Sequence, residues 1–429
     1  MDANVMSLFP WLRNGLEIFK TGVETQQKGL LSAVDFLPVS GMVRHLDAEY
    51  KADLEFLELF TEDPPPQNWH FKYADDDVLL DLPGMRLIDI SAEGPHRISN
   101  YSVVFAPRAG HHSNISERTA LFLRDKGLTR MAVVEQKCAK DIPLFVNGKA
   151  HNEDFEGQVA QYRAILAFLK KQTGAPPHLI AVCQPGPLLL TTLILYPELG
   201  RTFGSAGSPM HTEAERGMLT DFSRLAGEPY IDYLVDFFSG TIGAGEIGEG
   251  RKVYDGRLQV LGFYYLGMDQ HIKNFRRYYT DLKAGNREAA ERQKEFYQWY
   301  NHTHHFPAEF IRDTYKQIFV KNALIRGTLH IGDRIADIRD YPLHVPVWAL
   351  GGSKDDIVPP RQAVGHIDLI DGMGDDKKLS VIANAGHMGI FRSSKVLEND
   401  YTNIASFILK HSDPAPAGGK GKKDKKTPR

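Results

Sequence analysis

Short apolar runs alternate with helix-length amphipathic stretches along most of this chain, and this alternation constrains its fold more than any other feature. Five runs have the length and composition of buried strands: 101–106 (YSVVFA), 131–134 (MAVV), 178–182 (HLIAV), 345–350 (VPVWAL) and 379–383 (LSVIA). Helical stretches such as 155–169 lie between them. This alternation is typical of a mostly parallel, doubly wound sheet. The pattern therefore predicts an α/β fold.

The alternation stops between residues 210 and 341, where the sequence becomes aromatic and helical, as in YIDYLVDFF and RQKEFYQWYN. Open parallel sheets bind their ligands at the carboxyl ends of the strands, so an insertion late in the sheet is expected to cap those ends. We therefore predict an α/β core over residues 81–209 and 342–411, with a helical cap over 210–341 between its two parts.

The two ends of the chain carry no recognisable chemistry. Residues 1–80 combine helical periodicity with a break at the three prolines 64–66, which predicts an N-terminal helical segment. Residues 412–429 hold six basic and two acidic residues without apolar periodicity, which predicts a disordered basic tail. Such a tail is either a solvated segment or one that is attracted to an anionic surface.

Charge and cysteine content narrow the class of protein. The 429 residues carry 51 Lys and Arg against 54 Asp and Glu, so the chain lacks the overall basic field that attracts nucleic acid. Two cysteines are too few for a disulfide scaffold and favour a reducing, cytoplasmic location. The start of the chain does not resemble a secretion signal, and no run approaches the roughly 18 apolar residues of a membrane span. We expect neither a nucleic-acid partner nor a membrane span.

Cys183 is the first candidate for chemistry. It ends the predicted strand 178–182 and is followed by Gln-Pro-Gly-Pro and a helix-forming run, so it lies on an abrupt strand-to-helix turn. A nucleophile elbow occupies this position, and the helix dipole there favours a thiolate. Taken alone, the residue is better explained as a buried structural cysteine.

Two further residues favour the catalytic interpretation. Asp355 follows the strand 345–350 and a Gly-Gly pair, and His387 follows the next strand, 379–383. The chain order nucleophile, acid, histidine is that of α/β-hydrolase triads. In such a triad His387 takes the thiol proton and Asp355 orients the imidazole. Asp356 remains an alternative acid, although we prefer Asp355 and expect Asp356 to cap the following helix.

An oxyanion hole should accompany the nucleophile. The N–H of Gln184, directly after the nucleophile, is the first candidate donor, and the loop after the strand 101–106 supplies Arg108 and Ala109 as further candidates. The histidines 302, 304 and 305 lie in the predicted cap beside a single close carboxylate, and we predict no metal site there. Cys138 has no matching histidine loop and is predicted to be a structural or incidental thiol.

Taken together, these motifs resemble the intracellular polyhydroxyalkanoate (polyhydroxybutyrate) depolymerases, α/β-hydrolases with a cysteine nucleophile. The resemblance covers roughly residues 95–410 and rests on IAVCQPG, FAPRAGH, RKVYDGRLQVLGFYYL, FPAEFIRDTYKQIF, GGSKDDI and AGHMGIF. It implies that Cys183, Asp355 and His387 form the triad, that the substrate is amorphous stored polyester, and that no metal or organic cofactor takes part. The related polyester synthases resemble G-x-C-x-G at the nucleophile, whereas this chain has Ala181 and Pro185 at the two glycine positions.

We therefore predict an intracellular hydrolase that degrades short-chain polyhydroxyalkanoate through an acyl-enzyme on Cys183. Water resolves this intermediate, and coenzyme A is an alternative acyl acceptor. The expected partner is a polyester granule or its oligomers, in the cytoplasm or at the granule surface. Two alternatives stay open: a synthase-like acyltransferase that uses the same triad, and a non-catalytic granule-associated protein.

Overall fold

The chain, for which we have a computed structural model, is described over residues 5–33, 40–108 and 114–415. These residues form two compact units. One unit takes the described parts of 1–68 and 256–303, and the other takes those of 69–255 and 304–429. The helices of 256–303 thus group with the N-terminal helices. The four-part division predicted from the sequence, with boundaries at 80, 210, 341 and 412, stays a prediction.

The second unit is built on an eight-stranded sheet. In chain order its strands are β1 (Val78–Asp81), β2 (Met85–Asp89), β3 (Ser102–Phe105), β4 (Met131–Gln136), β5 (His178–Val182), β6 (Thr202–Ala206), β7 (Val347–Gly352) and β8 (Lys378–Ala383). All five strands predicted from apolar runs are present. The sequence pattern missed β1 and β2, which contain charged residues, and β6, which contains glycine and serine.

The order of strands across this sheet is β1-β2-β4-β3-β5-β6-β7-β8. The pairs β1/β2 and β2/β4 are antiparallel, and every other pair is parallel. Val182 on β5 pairs with Ala206 on β6, and Gly352 on β7 pairs with Ala383 on β8. The carboxyl ends of these four strands therefore lie along one edge of the sheet. This topology confirms the predicted α/β-hydrolase fold.

Both faces of the sheet are buried. Val103, Leu179 and Val347 belong to a large apolar cluster that also contains the buried faces of two helices, α4 (Phe155–Thr173) and α5 (Gly186–Leu195). Residues that alternate with these along the strands, such as Val104 and Ile180, are equally inaccessible. Burial on both faces explains why these strands are apolar throughout instead of alternating between apolar and polar residues.

The other helices of the described residues are α1 (Pro10–Ala33), α2 (Ser40–Thr61), α3 (Ile115–Asp125), α6 (Met218–Phe237), α7 (Gly256–Leu266), α8 (Met268–Lys283), α9 (Arg287–Asn301), α10 (Ala308–Asp313), α11 (Ala323–Arg326), α12 (Pro360–Val364), α13 (His387–Arg392), α14 (Ser394–Val396) and α15 (Thr402–Lys410). Helices α6–α11 fall between β6 and β7, within the segment 210–341. None of the helices within these described ranges is long and apolar enough to cross a membrane.

Helix α4 illustrates how local sequence sets the helix ends. Asp154 is its N-cap and accepts a hydrogen bond from the Gly157 N–H (2.8 Å). Gly174 ends the helix in the left-handed region, at a φ of 75° that a residue with a Cβ rarely adopts. Because α4 lies between β4 and β5, its ends fix the right-handed crossover that brings β5 beside β3.

Candidate active site

Cys183 occupies a strained turn between β5 and α5. Its φ is +62°, which is uncommon for a residue other than glycine and is found mainly at functional sites. The Cys183 N–H donates to the Ala206 carbonyl (2.8 Å), and the Cys183 carbonyl accepts from the Gly186 N–H (3.2 Å). The first hydrogen bond holds the turn against the end of β6, and the second closes the turn just before α5 begins.

The turn also depends on a close approach of two backbone segments. A Cβ on Gly186 would lie 2.5 Å from the Ser208 Cβ and 2.7 Å from the Met210 sulfur. These distances are shorter than carbon atoms tolerate, so only glycine fits at the first position of α5. The sequence Cys-Gln-Pro-Gly after β5 thus supplies both the elbow and the space that it needs.

Asp355 and His387 form a buried pair at the same edge of the sheet. His387 is the first residue of α13, directly after β8, and Asp355 lies in the loop after β7. The imidazole Nδ1 and the carboxylate Oδ2 are 2.7 Å apart, and both side chains are buried. A carboxylate only accepts hydrogen bonds, so Nδ1 carries a proton and Nε2 is the atom that can receive another.

The second oxygen of Asp355 is held by backbone groups. Its Oδ1 accepts hydrogen bonds from the N–H groups of Ile357 (3.0 Å) and Val358 (2.8 Å). Three hydrogen bonds therefore fix the carboxylate in a single orientation towards His387.

The electrostatics of His387 suit a proton acceptor. Burial lowers the pKa of the imidazole, but the charge of Asp355, followed by the charge of Cys183 and by the hydrogen bond that the imidazole donates to Asp355, raises it well above its usual value. The structure therefore brings His387 and Asp355 together at the edge of the sheet where Cys183 also lies. An imidazole in this environment can accept a proton and keep it, because the carboxylate behind it stabilises the positive charge.

Asp356, the alternative acid, has a different environment. Burial, together with the charge of Asp355, raises the pKa of its carboxyl group. The expectation that Asp356 caps the following helix is wrong. Pro359 is the N-cap of α12, and the Arg361 N–H in its first turn donates to Glu215 (2.8 Å) because that side chain reaches over from the loop before α6.

The predicted oxyanion donors fall in three different situations. Gln184 follows Cys183 in the turn, and its side-chain oxygen accepts a hydrogen bond from the Arg108 N–H (3.0 Å). Arg108 would have to give up this hydrogen bond to serve as an oxyanion donor. Ala109 lies outside the described residues. The oxyanion hole therefore stays a prediction.

A buried charged cluster behind the loop after β3 was not predicted. It joins the guanidinium of Arg108 to the carboxylate of Glu153, with both side chains inaccessible to solvent. One sequence feature could have indicated it: Gln158 and Gln161 are polar residues on the face of α4 that otherwise carries buried apolar residues.

The structure also shows the surroundings of His305, one of the histidines of the predicted cap, and of Cys138. His305 Nδ1 is 3.5 Å from an Asp255 oxygen, and no group of three or more possible metal ligands occurs within the described ranges. Cys138 is buried, and burial raises the pKa of its thiol.

Comparison with known proteins places the chain in context. Residues 207–412 match the family model described as "PHB de-polymerase C-terminus". Among curated proteins, no sequence matches this chain.

Solved structures with a similar fold include a monoacylglycerol lipase from Paleococcus ferrophilus (12% identity, TM-score 0.43, covering 76% of this chain and 99% of that one). They also include a putative non-heme bromoperoxidase from Mycobacterium tuberculosis (13% identity, TM-score 0.41, covering 81% of this chain and 100% of that one). A third is a thermophilic esterase from Thermogutta terrifontis (11% identity, TM-score 0.36, covering 76% of this chain and 94% of that one).

Proposed function

We propose a function on the ground that this chain belongs to the polyhydroxybutyrate (PHB) depolymerase family, whose C-terminal domain it carries over residues 207–412. Family and fold support an ester hydrolase that acts on polyester. The finer proposal is that the chain degrades short-chain polyhydroxyalkanoate through a covalent intermediate on Cys183. It is carried by one observation: His387 Nδ1 lies 2.7 Å from a buried carboxylate oxygen of Asp355, at the same edge of the sheet as Cys183 on its strained elbow.

In the first half of the proposed reaction, His387 Nε2 accepts the thiol proton and the Cys183 sulfur attacks the ester carbonyl carbon. The carbonyl oxygen becomes an oxyanion, for which the Gln184 N–H is the proposed donor. The C–O bond then breaks, and His387 returns the proton to the departing alcohol oxygen. The product is a thioester between Cys183 and the acyl part of the polymer.

In the second half, His387 removes a proton from water, whose oxygen attacks the thioester carbonyl. The C–S bond breaks, the sulfur regains the proton, and the shortened acid leaves. Asp355 stays ionised throughout and keeps the Nδ1 proton in place. A thiol such as coenzyme A could replace water as acceptor, in which case the product is a new thioester instead of an acid.

An exposed row of aromatic rings on α6 supports a polymeric substrate. Tyr230, Tyr233 and Phe237 are 48%, 58% and 66% exposed. Adjacent rings in this row are nearly parallel, with centroids 6.1 and 5.8 Å apart. An exposed apolar face of this kind is suited to contact an uncharged polyester surface. We accordingly propose that the protein works in the cytoplasm at the surface of storage granules. Of the predicted basic tail, residues 416–429 lie outside the described ranges.

The test uses intact-protein and peptide mass spectrometry after brief exposure to a short 3-hydroxybutyrate oligomer ester, in parallel with acid release from amorphous granules. We expect an acyl adduct on Cys183, loss of adduct and acid release in Cys183→Ala, and retention of both in the matched control Cys138→Ala. Full cleavage by Cys183→Ala would refute the assigned nucleophile.

The same preparation separates the alternatives. Growth of polymer from hydroxybutyryl-coenzyme A without ester loss would identify an acyltransferase. Granule binding by wild-type protein with no turnover would identify a non-catalytic granule-associated protein.

A further inference from the structure

Arg108 lies at the start of the loop that follows β3 and is 1% exposed. Its Nη2 donates to Glu153 Oε2 (2.8 Å) and to Gln136 Oε1 (2.8 Å). The guanidinium also lies over the Phe310 ring, 5.2 Å from its centroid. A permanently charged group is therefore enclosed completely and is neutralised by one equally buried carboxylate.

The carboxylate of Glu153 is held by several donors besides Arg108. The Gln158 amide (2.5 Å) and His151 Nε2 (2.6 Å) reach its two oxygens, and the Gln161 amide lies at 2.9 Å. Burial raises the pKa of Glu153, but the charge of Arg108 and the hydrogen bonds from His151 and Gln161 outweigh this effect and lower it. The pair is thus fully ionised and has little freedom to rotate.

The same arginine is connected to the active-site turn. Its backbone N–H donates to the side-chain oxygen of Gln184, the residue after Cys183. Arg108 therefore joins the buried carboxylate, through its side chain, to the nucleophile turn, through its backbone. A buried ion pair contributes less to stability than apolar packing of similar volume, but its geometry is specific.

We propose that Arg108 and Glu153 are positioning residues for the oxyanion site, an inference that rests on the proposed ester hydrolysis. The pair fixes Arg108, at the start of the loop after β3, relative to the Cys183–Gln184 turn, so that the Gln184 N–H, the proposed oxyanion donor, does not have to reorient when the carbonyl oxygen becomes charged. Neither side chain touches the substrate. The expected consequence is an effect on kcat for esters, with little effect on reactions of Cys183 that form no oxyanion.

This difference makes the proposal testable. Ester cleavage passes through an oxyanion, whereas alkylation of Cys183 by iodoacetamide is a direct displacement that needs only the thiolate. We compare Glu153→Gln with the matched control Glu135→Gln, since Glu135 is also a buried acid, paired with Arg86 at 2.5 Å and hydrogen-bonded to Trp69. For each variant we measure kcat and KM with a soluble 3-hydroxybutyrate oligomer ester, the alkylation rate at Cys183 by peptide mass spectrometry, and Tm.

For Glu153→Gln we expect kcat to fall by about 10²-fold, the usual cost of a lost oxyanion donor, with KM and the alkylation rate within about twofold of wild type. Glu153→Asp should recover part of kcat, and Glu135→Gln should lower Tm without lowering kcat. Equal losses of kcat in Glu153→Gln and Glu135→Gln, or a parallel loss of kcat and alkylation rate, would overturn the proposal.

A second variant covers the case in which Glu153→Gln does not fold. A Cβ on Gly84 would lie 2.2 Å from Glu153 Oε1, so Gly84→Ala displaces the carboxylate while keeping its charge. It should reproduce the selective loss of kcat, and a kcat equal to that of wild type would overturn the proposal. If wild-type protein is alkylated at Cys183 but cleaves no ester, the proposed function fails and this inference fails with it. Ester cleavage that is the same in wild type and in folded Glu153→Gln overturns only the inference.

Discussion

Replacing Asp355 by Asn should lower kcat/KM for ester hydrolysis by about 10³- to 10⁴-fold, and the hydrogen bonds of this residue explain why. Asp355 Oδ1 accepts from the backbone N–H groups of Ile357 and Val358, while Oδ2 faces His387 Nδ1 at 2.7 Å. Only the amide oxygen of an asparagine can accept from the two backbone donors. The NH2 group must then face His387.

An NH2 group that faces Nδ1 can bond only to an unprotonated nitrogen, which moves the imidazole proton to Nε2. That atom has to accept the thiol proton, so the favoured tautomer is the inactive one. A hydrogen bond to a charged group is worth about 1.5–3 kcal/mol, or about 10- to 150-fold in rate at 1.4 kcal/mol per tenfold. The change of tautomer accounts for the remainder of the expected loss. To restore the active tautomer, the asparagine would have to turn its oxygen towards His387, which would leave the backbone N–H groups of Ile357 and Val358 unpaired.

The assay measures turnover of a soluble hydroxybutyrate ester, together with ¹⁵N NMR of the His387 ring to identify the tautomer. Asp356→Asn is the matched control and should stay within about tenfold of wild type, since its carboxyl group does not supply the hydrogen bond to Nδ1. The reasoning is refuted if Asp355→Asn retains more than about a tenth of wild-type kcat/KM, or if Asp356→Asn is equally impaired.

Three further predictions follow from the structure. Because the pKa of His387 is raised above its unfolded value, its pairing with Asp355 stabilises the fold fully below pH about 6.5, and this contribution is lost as pH rises through the folded pKa. Urea unfolding over a pH series should therefore show the difference in free energy of unfolding between wild type and Asp355→Asn narrowing towards alkaline pH; a difference that widens would contradict this. Gly186→Ala should destabilise the fold by about 1–3 kcal/mol in urea unfolding, although alanine favours helices, because its Cβ would lie 2.5 Å from the nearest side chain; an unchanged midpoint would rule out the close approach. The double variant Tyr233→Ala/Phe237→Ala should reduce acid release from granules severalfold and leave turnover of a short soluble ester unchanged, because both rings are more than half exposed; equal losses on the two substrates would count against a polymer-contacting role.

Most of the α/β core could be predicted from the chain alone. The run 178–182 is strand β5 without a change of boundary, and the other four apolar runs agree with their strands to within two residues. Such strands are recognisable because burial on both faces requires apolar residues throughout. Strand β6 (TFGSA) was not predicted because Gly204 interrupts its apolar character. This glycine makes room for Trp348, whose nearest ring atom would lie 1.7 Å from a Cβ at that position. Only packing against a strand more than 140 residues away requires a glycine at that point.

The candidate active site, like the fold, could be predicted from the sequence only in part. Periodicity, turn residues and chain order are local properties, and they were enough to identify an elbow at Cys183 and loops that carry an acid and a histidine. Which of the two adjacent carboxylates faces His387 could not be predicted locally, because the backbone N–H groups of Ile357 and Val358 turn Asp355 towards the imidazole. The partners of Arg108 could not be predicted from the sequence either, because Glu153 and Gln184 are 45 and 76 residues away along the chain. They contact Arg108 only because α4 and α5 pack on the sheet. Buried polar groups have no access to water, so they must pair with other groups of the protein. Tertiary structure decides which of those groups lie close enough to pair.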